Sequence, residues 1–461
     1  MRRGWRFGLS VWSLLAVVGL GCNAVVTPPE PEGPPAPLAQ AHRQVRGGTR
    51  HVRPVAGPVL GRAVAVDRWG NAFVSLSYER PGLDLGGGAL PGDTGLAVAR
   101  YAPDGTHLWS RAFPTLQGTR PLVSAMTVDA AGHLYLAGEH QEPSLSLGGA
   151  PVPRGLFLAK YAPDGTHLWS RAATLPGVKL LPPSALAVDE ARGQLVAAVN
   201  FLDPGQPLGA ALIGRVRVDD GQALALKPVA TWGKLSVTGL AVDPSGHIAV
   251  VGFFEGEVDL GGGPMHTALP RTPFVARFSP EVRHQWSRAL EGAEGAALGV
   301  AVEAGRLFVV GEYEGSFSFR GRAQPAEGRD GFVAVYYAQN GGELWVRHFA
   351  ESARAVTVDG QYRVVVVGQY RPGDSAGGPL LPSREGGTPD NHLFLVKLYW
   401  GSGGHEWSRG FFSDGVLRAG GMAETRSGEV VLVSDWEGTS DLGTGPVRGT
   451  PRSAVLLRLA R

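Results

Sequence analysis

Short apolar runs alternate with clusters of Gly, Pro, Asp and Asn along most of the chain. A representative stretch, residues 240–290, contains LAVD, HIAVVGFF, PFVARFS and RHQWSRAL in succession. Runs this short, rich in Val, Ile, Phe and Trp and broken by turn residues, are typical of consecutive antiparallel strands. Because no stretch shows a capped helical periodicity, the pattern predicts an all-β fold.

The pattern of strands is itself repeated. The segment YAPDGTHLWSRA occurs letter for letter at residues 101–112 and 161–172, and weaker copies follow further along the chain. An apolar strand that ends in an acidic residue and a turn precedes each copy and counts the units. It marks seven units, at Asp67, Asp129, Asp189, Asp243, Glu303, Asp359 and Glu424, spaced 54 to 65 residues apart. Periods in this range are typical of propellers and solenoids.

Four strands in each of seven units predict a seven-bladed β-propeller, with a β-solenoid as the structural alternative. The seventh unit supplies three strands and lacks the fourth, Trp-containing one. Ahead of the first unit, the segment TRHVRPV at residues 49–55 imitates that fourth strand. We therefore expect this segment to complete the last blade and close the ring, with Pro54 tolerated because the fourth strand is an outer edge.

The units resemble the repeats of bacterial surface proteins called SBBP repeats. The resemblance is carried by AVDPSGHIAVVG followed by PFVARFSPE, and by AMTVDAAGHLYLAG followed by GLFLAKYAPDG, and it covers the chain from about Arg50 onward. It implies a seven-bladed propeller and says little about function. The first half of each unit also resembles NHL repeats. The PDGTHLW segment resembles the tryptophan-docking repeats of quinone-dependent dehydrogenases and of the outer-membrane assembly lipoprotein BamB.

The N-terminal sequence predicts where in the cell the protein is located. Three arginines precede an apolar run at residues 7–20, which is too short to span a bilayer and ends before Cys22, the only cysteine. Residues 1–21 are therefore interpreted as a lipoprotein signal peptide and Cys22 as the lipidated residue. An ordinary secretory signal with a chance cysteine is the alternative. Residues 22–48 are proline-rich and predict a semi-extended tether, which leaves residues 49–461 as the propeller.

Composition limits the partners. The net charge is +2, and removal of residues 1–21 leaves 40 basic and 41 acidic residues. Because no basic stripe is present, we expect no nucleic-acid partner. A single cysteine forms no intramolecular disulfide. We expect a monomer without metal or cofactor, attached by its N-terminal lipid to a membrane of the bacterial cell envelope, namely the outer membrane on its periplasmic or surface side.

Two local patterns could indicate catalysis or a cofactor. The sequence GDSAGG around Ser375 satisfies G-x-S-x-G, but the prolines and glycines that follow it exclude the helix that a nucleophile elbow needs. The recurring Trp and the Arg two residues later, such as Trp109 and Arg111, could form a cofactor platform. Since residues i and i+2 share one face of a strand, we interpret these pairs instead as packing between blades. The recurring histidines, such as His107, are predicted to lie too far apart around a ring to share a metal.

Loop length predicts where a partner would bind. The long loops join the second and third strands of the units, except in unit three, and a rigid scaffold commonly presents function on such loops. Their regular polar members are Asp84, Asp259 and Asp441 of the DLGxG segments, which could contact a ligand or form Asx turns. The sequence thus favours a non-enzymatic binding or adhesion module for a protein or glycan. An envelope-assembly scaffold like BamB and a periplasmic enzyme are the alternatives.

Overall fold

The computed structural model describes residues 47–461 except 117–118, 175–178, 183, 203–208, 231, 350 and 384–391. The predicted signal peptide, Cys22 and the predicted tether up to residue 46 lie outside these residues. Strands and turns make up the described chain. No helix in this part of the protein is long and apolar enough to cross a membrane.

Seven antiparallel sheets form the blades, and six of them have four main strands in sequence order. Blade one contains β2 (Val59–Val66), β3 (Ala72–Glu79), β4 (Thr94–Tyr101) and β5 (His107–Pro114). Blade two contains β6 (Leu122–Val128), β7 (Leu134–Leu145), β8 (Val152–Tyr161) and β9 (His167–Ala173). Blade three contains β10 (Lys179–Leu180), β11 (Ala185–Asp189), β12 (Gln194–Leu202), β13 (Ala210–Arg217) and β14 (Ala223–Pro228).

The next three blades follow the same order, and two of them add a short strand that pairs with the extended second strand. Blade four contains β15 (Trp232–Val242), β16 (Ile248–Asp259), β17 (Pro264–His266), β18 (Thr272–Phe278) and β19 (His284–Ala289). Blade five contains β20 (Ala293–Glu303), β21 (Arg306–Phe319), β22 (Arg322–Pro325), β23 (Asp330–Tyr337) and β24 (Glu343–Phe349). Blade six contains β25 (Ser352–Val358), β26 (Arg363–Gln369), β27 (His392–Tyr399) and β28 (His405–Phe412).

Blade seven closes the ring with both ends of the propeller. It contains β29 (Leu417–Glu424), β30 (Val430–Asp441), β31 (Pro446–Leu459) and, as its outer strand, β1 (Thr49–Val55). Strand β1 pairs antiparallel with β31, and Val55 lies opposite Ala454. The predicted closure by an N-terminal strand is confirmed, and the solenoid alternative is excluded.

The closing ends also reproduce a turn. In blade two, the amide of Ala162 donates to the carbonyl oxygen of Thr166, 2.8 Å away, and so closes the turn between the third and fourth strands. In blade seven, the amide of Ala460 donates to the carbonyl oxygen of Gly48 at 2.6 Å. The repeat aligns Ala460 with Ala162 and Gly48 with Thr166. The two ends therefore form the same turn without a covalent link across it.

The apolar core is divided among the junctions between blades. Within the described residues, seven apolar clusters each combine side chains of two neighbouring blades. The first strands of successive blades contact one another all the way round the ring, so they surround a central channel. Burial between blades, rather than within any one blade, therefore stabilises the fold.

One predicted landmark is displaced by a residue. In blade four the amide of Asp243 donates to the carbonyl of His247 at 3.0 Å, and in blade seven the amide of Thr425 donates to the carbonyl of Glu429 at 2.9 Å. Thr425 therefore occupies the place of the acidic residue in the seventh unit, and Glu424 precedes it. The prediction of Glu424 as the landmark is wrong, because the Thr hydroxyl replaces the carboxylate as the acceptor in this turn: it accepts from the amide of Glu429 at 2.9 Å.

Candidate functional site

The recurring tryptophans lie at the junctions between blades. In four blades the indole Nε1 donates to a backbone carbonyl in the turn of the next blade. These bonds are Trp109 to Pro163 at 2.9 Å, Trp169 to Val218 at 2.9 Å, Trp286 to Ala338 at 2.8 Å and Trp345 to Trp400 at 2.9 Å. The interpretation of the recurring tryptophans as packing between blades is confirmed, since a Cβ on the turn glycine of the next blade would lie 2.6 to 2.9 Å from each of the five rings. Within the described residues, the buried Nε1 of the fifth tryptophan, Trp407, has no hydrogen-bond partner.

The arginines two residues further on reach the same turns. The Nε of Arg347 donates to the carbonyl oxygen of Gly403 at 2.9 Å, and that of Arg288 donates to Gly341 at 3.3 Å. Arg288 and Arg347 therefore add hydrogen bonds to the next blade to the packing of the indoles. The geometry is that of a structural contact that is repeated between neighbouring blades.

The DLGxG segments form Asx turns. One carboxylate oxygen of Asp84 accepts from the amides of Gly86 at 2.7 Å and Gly88 at 3.0 Å. Asp259 and Asp441 accept from the glycines two and four residues later at 2.7 to 3.1 Å. The amides of Gly86 and Gly88 hold the pKa of Asp84 below its usual range. These carboxylates thus organise their own loops, and a contact of Asp84, Asp259 or Asp441 with a ligand stays a prediction.

These loops also turn back along the blades. Leu83 and Leu85, on either side of Asp84, are buried in the cluster between blades seven and one. A Cβ on Gly87 would lie 2.4 Å from the ring of His107, at the start of the outermost strand. The loop leaves from the predicted end of the blade but lies along its outer flank. Asp84, Asp259 and Asp441 belong to blades one, four and seven, so the structure distributes them around the ring.

Ser375 occupies the same kind of hairpin as Asp84. A β-bridge joins Ser375 to Leu380, and the equivalent bridge joins Asp84 to Ala89. Gly378 of this hairpin lies against the ring of His405, whose Nε2 is 3.0 Å from the hydroxyl of Ser408. A hairpin replaces the strand-to-helix turn that a serine nucleophile elbow requires.

The acidic landmarks form buried ion pairs. Four of them pair with a basic residue on the third strand of their own blade: Asp67 with Arg100 at 2.6 Å, Asp189 with Arg215 at 3.0 Å, Asp243 with Arg277 at 2.7 Å and Asp359 with Lys397 at 2.8 Å. These pairs join the inner and outer halves of a blade. Asp129 pairs instead with His133 of its own turn at 2.9 Å. Within the described residues, no group of three His, Cys, Asp or Glu side chains could hold a metal ion.

The first strands, which surround the central channel, share one feature at the same aligned position. In six blades the first strand has a β-bulge one residue long, at Arg62, Ser124, Thr238, Leu298, Arg354 and Gly420. Ser184 of blade three aligns with them, and its amide donates to Ala198 at 2.9 Å. A bulge leaves one residue out of the ladder and re-aims its side chain. We call these seven residues the channel ring.

Five members of the channel ring line a cavity of about 420 Å³: Ser184, Thr238, Leu298, Arg354 and Gly420. Its polar walls are formed by the side chains of Ser184, Asn200, Ser236, Thr238 and Arg354, beside apolar Val237 and Leu298. Arg354 is exposed, and its Nε donates to the amide oxygen of Gln369 at 2.7 Å. The Asn200 amide joins two blades, because it donates to and accepts from the backbone of Val237 at 2.8 Å. The cavity thus combines a fixed guanidinium with hydroxyl groups on rigid strands.

Reasoning from the sequence missed the channel ring. Each member lies five residues before the landmark of its unit, ahead of a run of mostly apolar residues. Across the units this position holds Arg, Ser, Ser, Thr, Leu, Arg and Gly, whereas the following positions are mainly apolar. A polar position repeated at the start of an apolar strand was the available signal. The bulge that sets this polar position apart depends on how the first strand pairs with the second strand.

Solved structures resemble this chain at low similarity, and no match is found by sequence. No protein-family model matches the chain, and no curated protein matches it. The structure is similar to BamB from Moraxella catarrhalis, with 11% identity and a TM-score of 0.36 over 88% of this chain and 91% of that one. It is also similar to the Dos1 propeller, with 8% identity and a TM-score of 0.43 over 88% of this chain and 94% of that one. A europium-containing methanol dehydrogenase has 8% identity and a TM-score of 0.41 over 90% of this chain and 95% of that one. At these identities and scores the likeness carries no argument about function.

Proposed function

We propose that the protein is a lipid-anchored binding module of the bacterial cell envelope, built from repeats of the SBBP type, that holds a partner at its channel ring without chemical conversion. The observation that supports this proposal is that the bulged residues Thr238 and Arg354, together with the aligned Ser184, line one cavity. Convergent polar groups in a preformed concavity are typical of ligand sites.

The chemistry of the cavity favours a polar ligand with an anionic group. Arg354 offers a charged donor whose orientation is set by Gln369. Charge-assisted hydrogen bonds from a guanidinium to a carboxylate are about twice as strong as neutral ones. The hydroxyls of Ser184 and Ser236 supply neutral donors and acceptors beside it. An acidic glycan or an acidic protein segment has this combination of groups.

Affinity capture from detergent-solubilised envelopes tests the binding site. The bait is the soluble propeller, compared with Arg354→Gln and with Arg283→Gln, which removes an exposed arginine in the turn between β18 and β19. We expect the captured glycans or proteins to be reduced by Arg354→Gln and retained by Arg283→Gln, as quantified by mass spectrometry. Equal recovery with all three baits would show that Arg354 does not belong to the binding site.

The same capture separates the alternatives. Recovery of an outer-membrane assembly machine would favour a scaffold that works beside membrane proteins. Recovery of glycans or of extracellular proteins would favour a binding or adhesion module. A periplasmic enzyme predicts instead that purified protein carries a chromophore or hydrolyses esters, which absorbance and an esterase assay at Ser375 measure directly.

Cell fractionation tests the anchor. Cys22→Ser removes the only thiol in the chain. We expect the variant to accumulate as an unprocessed or soluble species, because the thiol is the attachment point for the lipid and stable anchoring requires the acyl chains. The parent protein should fractionate with membranes. A Cys22→Ser variant found with membranes to the same extent would contradict lipid anchoring while leaving the channel site untouched.

A further inference from the structure

The junctions between blades share one packing scheme. The indole of the outer strand lies against the turn glycine of the next blade. A Cβ on Gly165 would come within 2.9 Å of the ring of Trp109, and one on Gly341 would come within 2.7 Å of Trp286. On the other side of its ring, Trp109 packs edge-on against Phe73 of its own blade, with ring centroids 6.0 Å apart. An indole thus fills the space between blades.

At the junction of blades three and four, a small residue replaces the indole and a larger residue replaces the turn glycine. Ala225 aligns with the tryptophan on the outer strand of blade three, and Val282 aligns with the turn glycine of blade four. Val282 retains the glycine-like backbone, with φ of 60°, and packs against the apolar cluster between these blades. A small residue opposite a large one therefore compensates for the missing indole.

The junction of blades seven and one lacks such compensation. His51 of β1 aligns with Trp109, Val431 aligns with Phe73, and Gly105 retains the turn glycine. A Cβ on Gly105 would be 3.2 Å from Nδ1 of His51, so the imidazole occupies part of the place of an indole. The two positions that are aromatic in blade one hold smaller side chains here, and no larger residue replaces the turn glycine. A cavity of about 360 Å³ lies at this junction, lined by His51, Arg53, Tyr101, Gly105, Val431 and Arg458 among others.

We infer that this cavity binds a planar aromatic ring that carries an N–H donor, of which indole is the simplest example. The neighbouring junction shows how its walls receive such a ring. There the carbonyl oxygen of Pro163 accepts from the indole of Trp109 at 2.9 Å. Pro103 is the equivalent residue at the junction of blades seven and one. We call this cavity the seam site.

Cationic groups at the seam site suit an aromatic face. The guanidinium of Arg53 lies 4.6 Å from the centroid of the Tyr101 ring, and a ring bound beside it would extend this stack. Arg458 is buried and held in place by the carboxylate of Glu429 at 2.7 Å and the carbonyl of Gly70 at 2.9 Å. Preorganised guanidinium groups next to aliphatic walls favour a flat, electron-rich ligand.

The seam site is accessible from the surface. A neighbouring groove of about 760 Å³ shares His51 and Asp104 with it. A small heterocycle could enter by this route, and so could the side chain of a tryptophan in a peptide. The two sources share the same ring chemistry and differ in the groups attached to it.

Isothermal titration with indole and with N-acetyl-tryptophanamide tests the inference on the soluble propeller. We expect saturable binding of indole at one site, with a Kd on the order of 0.1 mM for a ligand of this size. Binding of indole alone assigns the seam site to a small heterocycle. Binding of N-acetyl-tryptophanamide as well assigns it to a tryptophan side chain. Saturable binding of neither ligand overturns the inference.

Three variants locate the binding. His51→Trp supplies the indole from the chain itself and should abolish binding while it raises the melting temperature. Val431→Phe places a ring where blade one has Phe73, so it should weaken binding by filling part of the cavity. This variant tests the site independently of His51→Trp. His266→Trp adds an indole in the β16–β17 hairpin of blade four, where the histidine side chain is 64% exposed, and should leave binding unchanged. Indole binding that survives in both His51→Trp and Val431→Phe would place the ligand elsewhere and contradict the seam site.

Discussion

The indole Nε1 of Trp286 donates a hydrogen bond to the backbone carbonyl of Ala338, 2.8 Å away in the following blade. The same ring is buried in the cluster between blades four and five. One side chain therefore supplies both apolar burial and a directional contact across a junction. Because each blade contacts only its neighbours, such contacts determine how strongly the ring coheres.

Trp286→Ala should destabilise the propeller by about 3–5 kcal/mol, since it leaves a cavity and removes the donor for Ala338. Thermal or urea unfolding measures the loss. Trp69→Ala is the matched control, because Trp69 is half exposed and its removal should cost far less. Equal losses from the two substitutions would show that the junction indoles do not stabilise the ring.

Removal of β1 should destabilise the entire propeller. A chain beginning at Ala56 leaves β31 as an unpaired edge, which favours association, whereas a chain beginning at Ala41 keeps the closing strand. We expect the shorter chain to melt at a lower temperature and to form oligomers in light scattering. Identical melting temperatures and monodispersity would mean that β1 contributes nothing to closure.

Stability should fall with rising pH through the titration of Glu424. This carboxyl is buried beside Lys397, whose Nζ lies 3.6 Å from one of its oxygens and 2.8 Å from Asp359. Burial raises the pKa of Glu424 to about 8 from an ordinary 4.5. The folded state therefore holds this proton more tightly than the unfolded state, and the resulting stability is present below about pH 4.5 and lost as the pH rises through 8.

Glu424→Gln should remove that dependence. We expect the variant to gain on the order of 2 kcal/mol relative to the parent between pH 5 and pH 8.5, since it cannot ionise. Unfolding in urea across this range measures the difference. Glu291→Gln replaces an exposed carboxyl and should keep the pH profile of the parent. A parent and a Glu424→Gln variant with parallel profiles would show that Glu424 does not titrate in this range.

Hydrogen exchange should separate the structural role of Asp84 from its predicted role in binding. Asp84→Ala removes the acceptor for the amides of Gly86 and Gly88, so both amides should exchange faster. Asp84→Asn retains an oxygen at this place and should preserve their protection. If Asp84→Ala leaves exchange unchanged, the carboxylate does not organise the loop. Retained folding with reduced partner capture in Asp84→Asn would support ligand contact.

The architecture follows from local signals in the sequence. Alternation, turn residues and a period near sixty determine strands and blades, and the likeness of Thr49–Val55 to a fourth strand determines closure. These features are repeated, so an error in one unit is corrected by the others. Glu424 shows the limit of this reasoning: an acid next to the landmark position was accepted in place of Thr425, whose hydroxyl has the same function.

The sites depend on contacts that a sequence does not state. The direction of the DLGxG loops follows from the burial of Leu83 and Leu85 against another blade, which loop length alone does not reveal. The channel ring depends on register shifts between paired strands, and Arg354 reaches the channel through one of them. The seam site depends on two aligned positions, His51 and Val431, that hold smaller residues while the turn glycine is retained. Such features arise only when distant parts of the chain are brought together.

The turn formed by Ala460 and Gly48 makes the beginning of the chain arbitrary as far as the ring is concerned. By alignment with blade two, Arg461 corresponds to Pro163 and Gly47 to Gly165, so a single residue would join them. A circularly permuted protein, linked there and opened between Asp164 and Gly165, should fold to the same seven blades. By the same reasoning, any of the seven outer strands could serve as the closing strand. The position of the chain ends then decides which blade closes the ring.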